Sequence, residues 1–526
     1  MPIVASYRRA AALAFILVGL LTIVSLLNPP GLNFDPGIGM LEWRTLVEGG
    51  PVNSITDPDP ADISKDRSRL ITWWSPGQYV IPGALTTLGF RLGPALSITA
   101  GLCLLSCLLG WIRVFKHFAF STQAAFIGVV LLSLFTYSTM SFRIYNGGDV
   151  LLQGIMPWLV MAGRLVPPAG AFRAVLLAVL AILMGFFAKL TGIPVAAAAL
   201  AAGSMVYLAR FRRITLGMVG GASGAVLAVG LLYAAWFSRG STPASGTRWL
   251  LQLNKAFFVA ADPWGAGISW MDTWDWLWTR NPSWVVWFLL PPAIFFSSVI
   301  LWGLKNNLNG RREVNDLILF TLSFYVVFVF ILEVLYMHSG AISLEERHFR
   351  PAGVLILICA LGVADRLSGR SIVRAAVFGV SALMAVYCGF DFITRARASS
   401  PQDVDPYSRT HQFKVDPLAL DFARGVFARE GRNAVFFLPF PDAASALPRG
   451  ARFLTSSLDA ESVSFLAARK YAGRARGGVY VLMRTRIAQS AKGKLLLREF
   501  TDYSPDGWSS RQFGNTTVFM QLAQSS

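Results

Sequence analysis

Apolar residues in this chain gather into blocks of roughly 15–25, recurring from the amino-terminal end to about residue 391, and that is the length of helix that crosses ~30 Å of hydrocarbon. Inside a bilayer every backbone N–H and C=O must find its partner within the protein, so such blocks fold as helices. Of the 526 residues 54% are hydrophobic and only 14% charged, whereas soluble domains carry about 25% charged residues. A soluble enzyme, a fibrous chain and a disordered scaffold are excluded. What remains is a polytopic all-α membrane protein.

The blocks predict about eleven spans, at 10–27, 98–112, 121–140, 150–163, two within 171–209, 214–235, 284–303, 316–336, 350–365 and 372–391. Arg8 and Arg9 precede the first block, and no small-residue cleavage site comes before Asn28-Pro-Pro-Gly. That predicts a retained first span with a cytoplasmic amino end, not a removed signal. Short loops assigned to the inside then carry Arg113/Lys116, Arg164/Arg173, Arg210/Arg212/Arg213, Lys305/Arg311/Arg312 and Arg366/Arg370, as the positive-inside bias requires. Arg347 and Arg350 form the one basic cluster on the disfavoured side. The alternation holds only if the short apolar segment 78–90, opened by Pro76-Gly77, lies in the outer interface instead of crossing. The formal charge of +18 is accounted for mainly by orientation, and nucleic acid is not an expected partner. Cys103, Cys107, Cys359 and Cys388 all sit inside apolar blocks, where they act as small hydrophobes.

An odd number of spans places residues 392–526 outside. The expected organisation is a transmembrane domain over 1–391, with outer loops 28–97 (carrying interfacial helices) and 236–283, and an extracytoplasmic mixed α/β domain over 392–526. In the latter, helices are expected at 416–430 and 458–470, and strands at 434–438, 479–483 and 517–522, from cap residues and β-branched or aromatic bias. It contains no nucleophile elbow, zinc spacing or phosphate loop, so chemistry is sought in the outer loops.

Five places there carry the informative residues. Asp35, in Asp35-Pro-Gly, reads either as an ordinary turn or as a carboxylate at the membrane boundary, able to act as a base or bind a divalent ion. Trp73-Trp74-Ser75-Pro76-Gly77-Gln78-Tyr79 reads as an interfacial aromatic belt introducing a helix. Asp149, at the start of an apolar block after Tyr145-Asn-Gly-Gly, is either an N-cap or a second outer carboxylate. Lys189, which breaks the 171–209 stretch, either snorkels or pairs with a phosphate. Glu345-Glu346-Arg347-His348-Phe349-Arg350-Pro351 is either a local Glu–Arg network or an arginine clamp on an anionic lipid phosphate. The outer loop 236–283 adds Trp249, Trp264, Trp270, Trp274, Trp276 and Trp278, dense enough for an interface belt or for stacking on a sugar ring.

This pattern resembles the membrane glycosyltransferases of the GT-C type, such as the bacterial lipid A aminoarabinose transferases and the protein O-mannosyltransferases. Asp35 stands where that family has its first-loop acidic residue, and Asp149 where it has the second. Trp74-Ser75-Pro76-Gly77 stands at its aromatic-proline motif, with glycine and glutamine replacing the second proline and the leucine. Ala188-Lys189-Leu190-Thr191-Gly192 is similar to its lysine-containing turn, and Arg347-His348-Phe349-Arg350-Pro351 to its late arginine-aromatic stretch. The resemblance implies transfer of a sugar from a polyprenyl-phosphate donor to a lipid, glycan or protein acceptor, at the outer face of a bacterial inner membrane. It implies Asp35 and Asp149 as catalytic residues, Lys189, Arg347, His348 and Arg350 as donor-phosphate ligands, and Glu42, Trp74, Tyr79 and Tyr145 as lining for acceptor or sugar. A divalent cation, Mg or Mn, on Asp35 and Asp149 is the one expected cofactor, and membrane lipids are expected partners. Two rivals stand beside it. One is a transporter or flippase of lipid-linked glycans, which would place charges near the bilayer midplane; the other is a non-catalytic scaffold for envelope assembly.

Overall fold

The computed structural model describes residues 2–72, 74–239, 253–278, 285–307, 312–339, 345–367, 371–398, 401–438, 440–455 and 471–522. The chain divides into two compact units. One comprises Met1–Ile23, Ala100–Phe142 and Gly148–Ala396; the other comprises Val24–Thr99, Arg143–Gly147 and Arg397–Ser526.

The first unit is helical and makes the chain an integral membrane protein. Among the described residues nine helices are long and apolar enough to cross a bilayer, from Tyr7–Leu27 to Ile372–Arg397, and the pair Thr122–Leu134 and Thr136–Phe142, bent by 57°, is so when its two helices are taken together. The eleventh expected span, 150–163, is a helix of 18 residues, Gly148–Leu165. It falls short of the others because Asp149, Gln153, Pro157 and Arg164 dilute its hydropathy. The stretch 171–209 breaks where its lysine predicted, into Ala171–Ala188 and Gly192–Phe211. At the break Lys189 is extended, with φ −161° and ψ 149°.

The helix Glu346–Asp365 is the most buried of the spans, at 83% of its window. It begins four residues earlier than expected, so Pro351 lies beyond its first turn and removes the intrahelical donor to the carbonyl of Arg347. Gly353 on this helix lies so close to the short helix Pro263–Ala266 that a Cβ would sit 2.7 Å from the Pro263 carbonyl oxygen. That approach fixes Asp262 and the following helix Trp270–Trp278 against the first turns of Glu346–Asp365. Two of the tryptophans here pack on neighbouring rings: Trp264 lies 5.2 Å from Tyr325, and Trp270 stacks on Phe288 at 5.3 Å and donates Nε1–H to the Phe288 carbonyl at 3.0 Å. Trp249 lies outside the described residues.

The second unit is mixed α/β. Its five-stranded sheet runs in the order Arg452–Thr455, Val435–Leu438, Val479–Arg484, Thr516–Gln521, Ser509–Phe513. The first three strands are parallel and the last two antiparallel. Strands expected at 434–438, 479–483 and 517–522 are present. The helix expected at 416–430 is Pro417–Glu430, capped by Asp416, whose Oδ1 accepts from the Leu418 N–H at 2.9 Å. The helix expected at 458–470 lies outside the described residues.

Residues 401–522 do not stand alone, because the loop 28–97 belongs to the same unit. The loop contains the helix Phe34–Val47, the hairpin Ser54–Asp59/Asp62–Leu70 and the helix Gly77–Thr87. Backbone bonds Ile63 N–H to Ala472 O (2.7 Å) and Ala472 N–H to Pro60 O (3.0 Å) tie the hairpin in, as does Arg452 Nε to Asp66 Oδ1 at 2.8 Å. Ile38 and Leu41 join Phe436, Leu438, Leu482 and Val518 in one apolar core. Gly77–Thr87, with 11 residues, is too short to span and is the segment expected at the interface.

Candidate active site

Each charged residue singled out in the first unit sits at a helix end, where the chain leaves its apolar block. Asp149 is in the first turn of Gly148–Leu165. Lys189 caps Ala171–Ala188, and its extended backbone turns the side chain toward Asp149, so that Nζ donates to Asp149 Oδ1. The second carboxylate oxygen of Asp149 lies 3.7 Å from Arg347 Nη1, and Arg347 Nε pairs with Glu345 at 2.6 Å. Arg350, one turn on, pairs with Asp272. The Asp272 N–H in turn donates to Glu346 Oε2 at 2.6 Å. His348 is buried, 9% exposed, within electrostatic reach of Lys189, Asp149, Arg347 and Arg350.

Lys189 and Arg347 thus meet on one carboxylate, that of Asp149, and Arg350 lies within electrostatic reach of it. Asp149, Arg347 and Arg350 line a cavity of about 40 Å³ whose other walls include Trp111, Leu132, Tyr137, Leu152, Met156 and Val354. That is room for two or three waters. Both oxygens of Asp149 face cations, so it is placed as their counter-ion and not as a free catalytic base. The same arrangement makes it a poor metal ligand, since a dication there would lie against Lys189 and Arg347. Among the described residues no group of three or more His, Cys, Asp or Glu side chains is disposed to hold a metal ion. The expected divalent cation therefore does not fit these residues.

Two acids escaped the sequence reading as site residues, Asp262 and Asp272. Asp272 and Glu346 hold Arg350 and its helix. Asp262 is fully buried, and neither carboxyl oxygen has a hydrogen-bond partner among the described residues. Burial, with the charge of Asp272 adding, pushes its carboxyl well above the usual range. Their signal was the alternation of Asp with Trp in 262–278, which read as an interface belt.

Asp35 belongs to the second unit, half-buried in the first turn of Phe34–Val47. Asn33 caps that helix through its side-chain oxygen and donates Nδ2–H to Asn146 Oδ1 at 2.6 Å. Gly147, at φ +55°, packs so closely that a Cβ would meet Gln78 Oε1 at 2.9 Å and Pro36 Cβ at 3.0 Å. The residues expected to line an acceptor or sugar site are interior instead. Tyr79 is fully buried and its hydroxyl donates to Asn53 Oδ1 at 2.5 Å. Tyr145 is fully buried and donates to the Gln78 carbonyl at 3.1 Å. Trp74 packs on Phe34 and against the sheet core. Glu42 is fully buried with neither oxygen hydrogen-bonded among the described residues, and burial pushes its carboxyl well above the usual range. Their expected lining role came from the family resemblance alone.

No protein-family model and no curated protein matches this sequence. Solved structures do. ArnT from Cupriavidus metallidurans in the apo state aligns with TM-score 0.52 at 11% identity, over 97% of this chain and 98% of that one. The same protein bound to undecaprenyl phosphate aligns with TM-score 0.50 at 13% identity, over 98% of each. The arabinofuranosyltransferase AftD from Mycobacteria aligns with TM-score 0.51 at 14% identity, over 99% of this chain. The chain has the GT-C fold. It spans 40% of the length of AftD. The similarity extends over 97–99% of this chain, so the mixed α/β unit lies within it.

Proposed function

We propose that this chain is a membrane glycosyltransferase that takes a sugar from a polyprenyl-phosphate carrier and passes it to a lipid, glycan or protein acceptor at the outer face of a bacterial inner membrane. The observation that carries the proposal is the meeting of Lys189 and Arg347 on Asp149, with Arg347, Arg350 and Asp149 lining a pocket whose other walls are mostly apolar. A fold shared with ArnT, which has been solved with undecaprenyl phosphate, supports the same donor class.

The chemistry is a single displacement. Asp35 takes the proton of an acceptor hydroxyl as its oxygen attacks the anomeric carbon. The bond from that carbon to the phosphate oxygen breaks, its electron pair leaves with the phosphate, and the anomeric configuration inverts. The leaving group is already a stabilised anion, so positioning and charge stabilisation are the protein's main contribution. Guanidinium groups hold two phosphate oxygens at once, and Lys189 adds a point charge. Asp149 keeps the cations together until the phosphate arrives, which makes it a positioning residue.

A panel of radiolabelled polyprenyl-phosphate sugars, offered to the purified chain in lipid, tests the donor class; transfer from a nucleotide sugar and from none of the panel would overturn it. Asp35→Asn should reduce turnover far more than folded yield, and full activity in that variant removes Asp35 as the base. Cysteines introduced at Ser400 and at Asn307 should label from opposite sides of the membrane.

A further inference from the structure

The second unit contains a cleft of about 600 Å³ that the transfer chemistry does not use, a volume in the range of small-ligand sites. Four arginines line it, Arg44, Arg91, Arg424 and Arg449, against one acid, Asp421. Two of the four are fixed by the protein. Arg44 pairs with Glu48 at 2.9 Å and donates to the Ala451 carbonyl at 2.7 Å. Arg424 pairs with the fully buried Asp405 at 2.8 Å and lies over the Tyr407 ring.

The other two are not neutralised. Arg91 is exposed and donates to the Pro406 carbonyl at 3.1 Å, and Arg449, also exposed, makes no hydrogen bond or ion pair with the described residues. Two buried donors on lining residues are also without partners among the described residues, Nη1 of Arg44 and Nε1 of Trp43. The Arg44 side chain is only 10% exposed, so an unused donor there marks a place where an acceptor belongs.

The walls also say where the cleft lies. Leu92, beside Arg91, opens the membrane-spanning helix Leu92–His117. Phe90 lines the cleft and is 45% exposed, and Leu88 nearby is 76% exposed. A basic cleft flanked by the first turn of a span and by exposed apolar side chains sits at the level of lipid headgroups.

We propose that this cleft binds the phosphate headgroup of an anionic membrane lipid, with Arg91 and Arg449 as the cations that close on it and Arg44 as the fixed one. The acyl chains stay in the bilayer beside Leu88 and Phe90. The site stands independently of the transfer reaction.

Native mass spectrometry of the full chain in neutral detergent tests this with three probes: dioctanoyl phosphatidic acid, dioctanoylglycerol and inorganic phosphate. Phosphatidic acid should bind, and the Arg91→Gln/Arg449→Gln double variant should weaken it at least tenfold. Arg498→Gln, an exposed arginine that does not line the cleft, should leave it unchanged. Both substituted positions in the double variant are exposed, and a melting curve matching the unsubstituted chain confirms that the fold is kept. Three results overturn the proposal: unchanged affinity in the double variant, dioctanoylglycerol binding as tightly as phosphatidic acid, or inorganic phosphate displacing phosphatidic acid at equal concentration.

Discussion

Replacing Lys189 by glutamine separates a lysine that binds phosphate from one that only holds the fold. Its Nζ is bonded to Asp149, and the two side chains are 16% and 10% exposed. Removing one partner of a buried pair costs about 3–5 kcal/mol, because the other charge is left behind. Asp149 keeps Arg347 at 3.7 Å and the glutamine amide still donates, so the loss should be nearer about 1–3 kcal/mol. Adding Asp149→Asn removes the stranded charge, and stability should return to within about 1 kcal/mol of the original. Donor affinity should not return with it. A cation–phosphate hydrogen bond contributes about 1.5–3 kcal/mol, so both the single and the double variant should bind polyprenyl phosphate about 10- to 150-fold more weakly. Thermal unfolding and filter binding of labelled polyprenyl phosphate read the two quantities separately. A double variant that regains both refutes a phosphate-binding role for Lys189.

Arg347→Lys and Arg350→Lys keep the charge but lose the bidentate fork; donor affinity should fall about tenfold in at least one, and unchanged binding in both leaves Lys189 as the phosphate's only partner among the three. Gly147→Ala forces a side chain into φ +55° and against Gln78 and Pro36, and should cost about 1–3 kcal/mol, read as a lowered melting temperature; an unchanged one refutes the close approach. Burial pushes the Asp442 carboxyl from 3.8 up to about 6. The folded state then binds this proton more tightly than the unfolded one, so its contribution is full below about pH 4 and is lost as pH rises through 6, by about 3 kcal/mol in all. Asp442→Asn should abolish that dependence and be the more stable form at pH 7, measured by chemical unfolding at several pH values.

Spans were legible in the sequence because hydrocarbon thickness sets a length that local composition must meet, and Lys189 showed where one apolar stretch became two helices. The strand at 479–483 was legible from the β-branched and aromatic bias of its own residues. The hairpin of the outer loop was not. Its mixed charges, Asp57 against Arg67 and Arg69, read as a solvated run, yet Asp57 is 4% exposed and Arg69 meets it at 2.6 Å. What holds that hairpin is distant in sequence: Arg452 reaches Asp66 across 386 positions. No local pattern carries such a pairing, so nothing in residues 28–97 showed that this loop belongs to one compact unit with Arg397–Ser526.

At the site, charges at helix ends stood out because a boundary is the one place in a membrane protein where a charge is cheap. Their buried partners did not. Glu346 was read beside Glu345 as a local neutraliser, but it is 5% exposed and receives the Asp272 N–H instead. Arg350 has Asp272, Glu346, Asp149 and Asp262 within electrostatic reach, four carboxyls around one guanidinium. Like charges crowded in a buried place cannot all stay ionised. Burial and the charge of Asp272 push Asp262 well above the usual carboxylate range, so Asp262 holds a proton while Asp272 keeps the ion pair with Arg350.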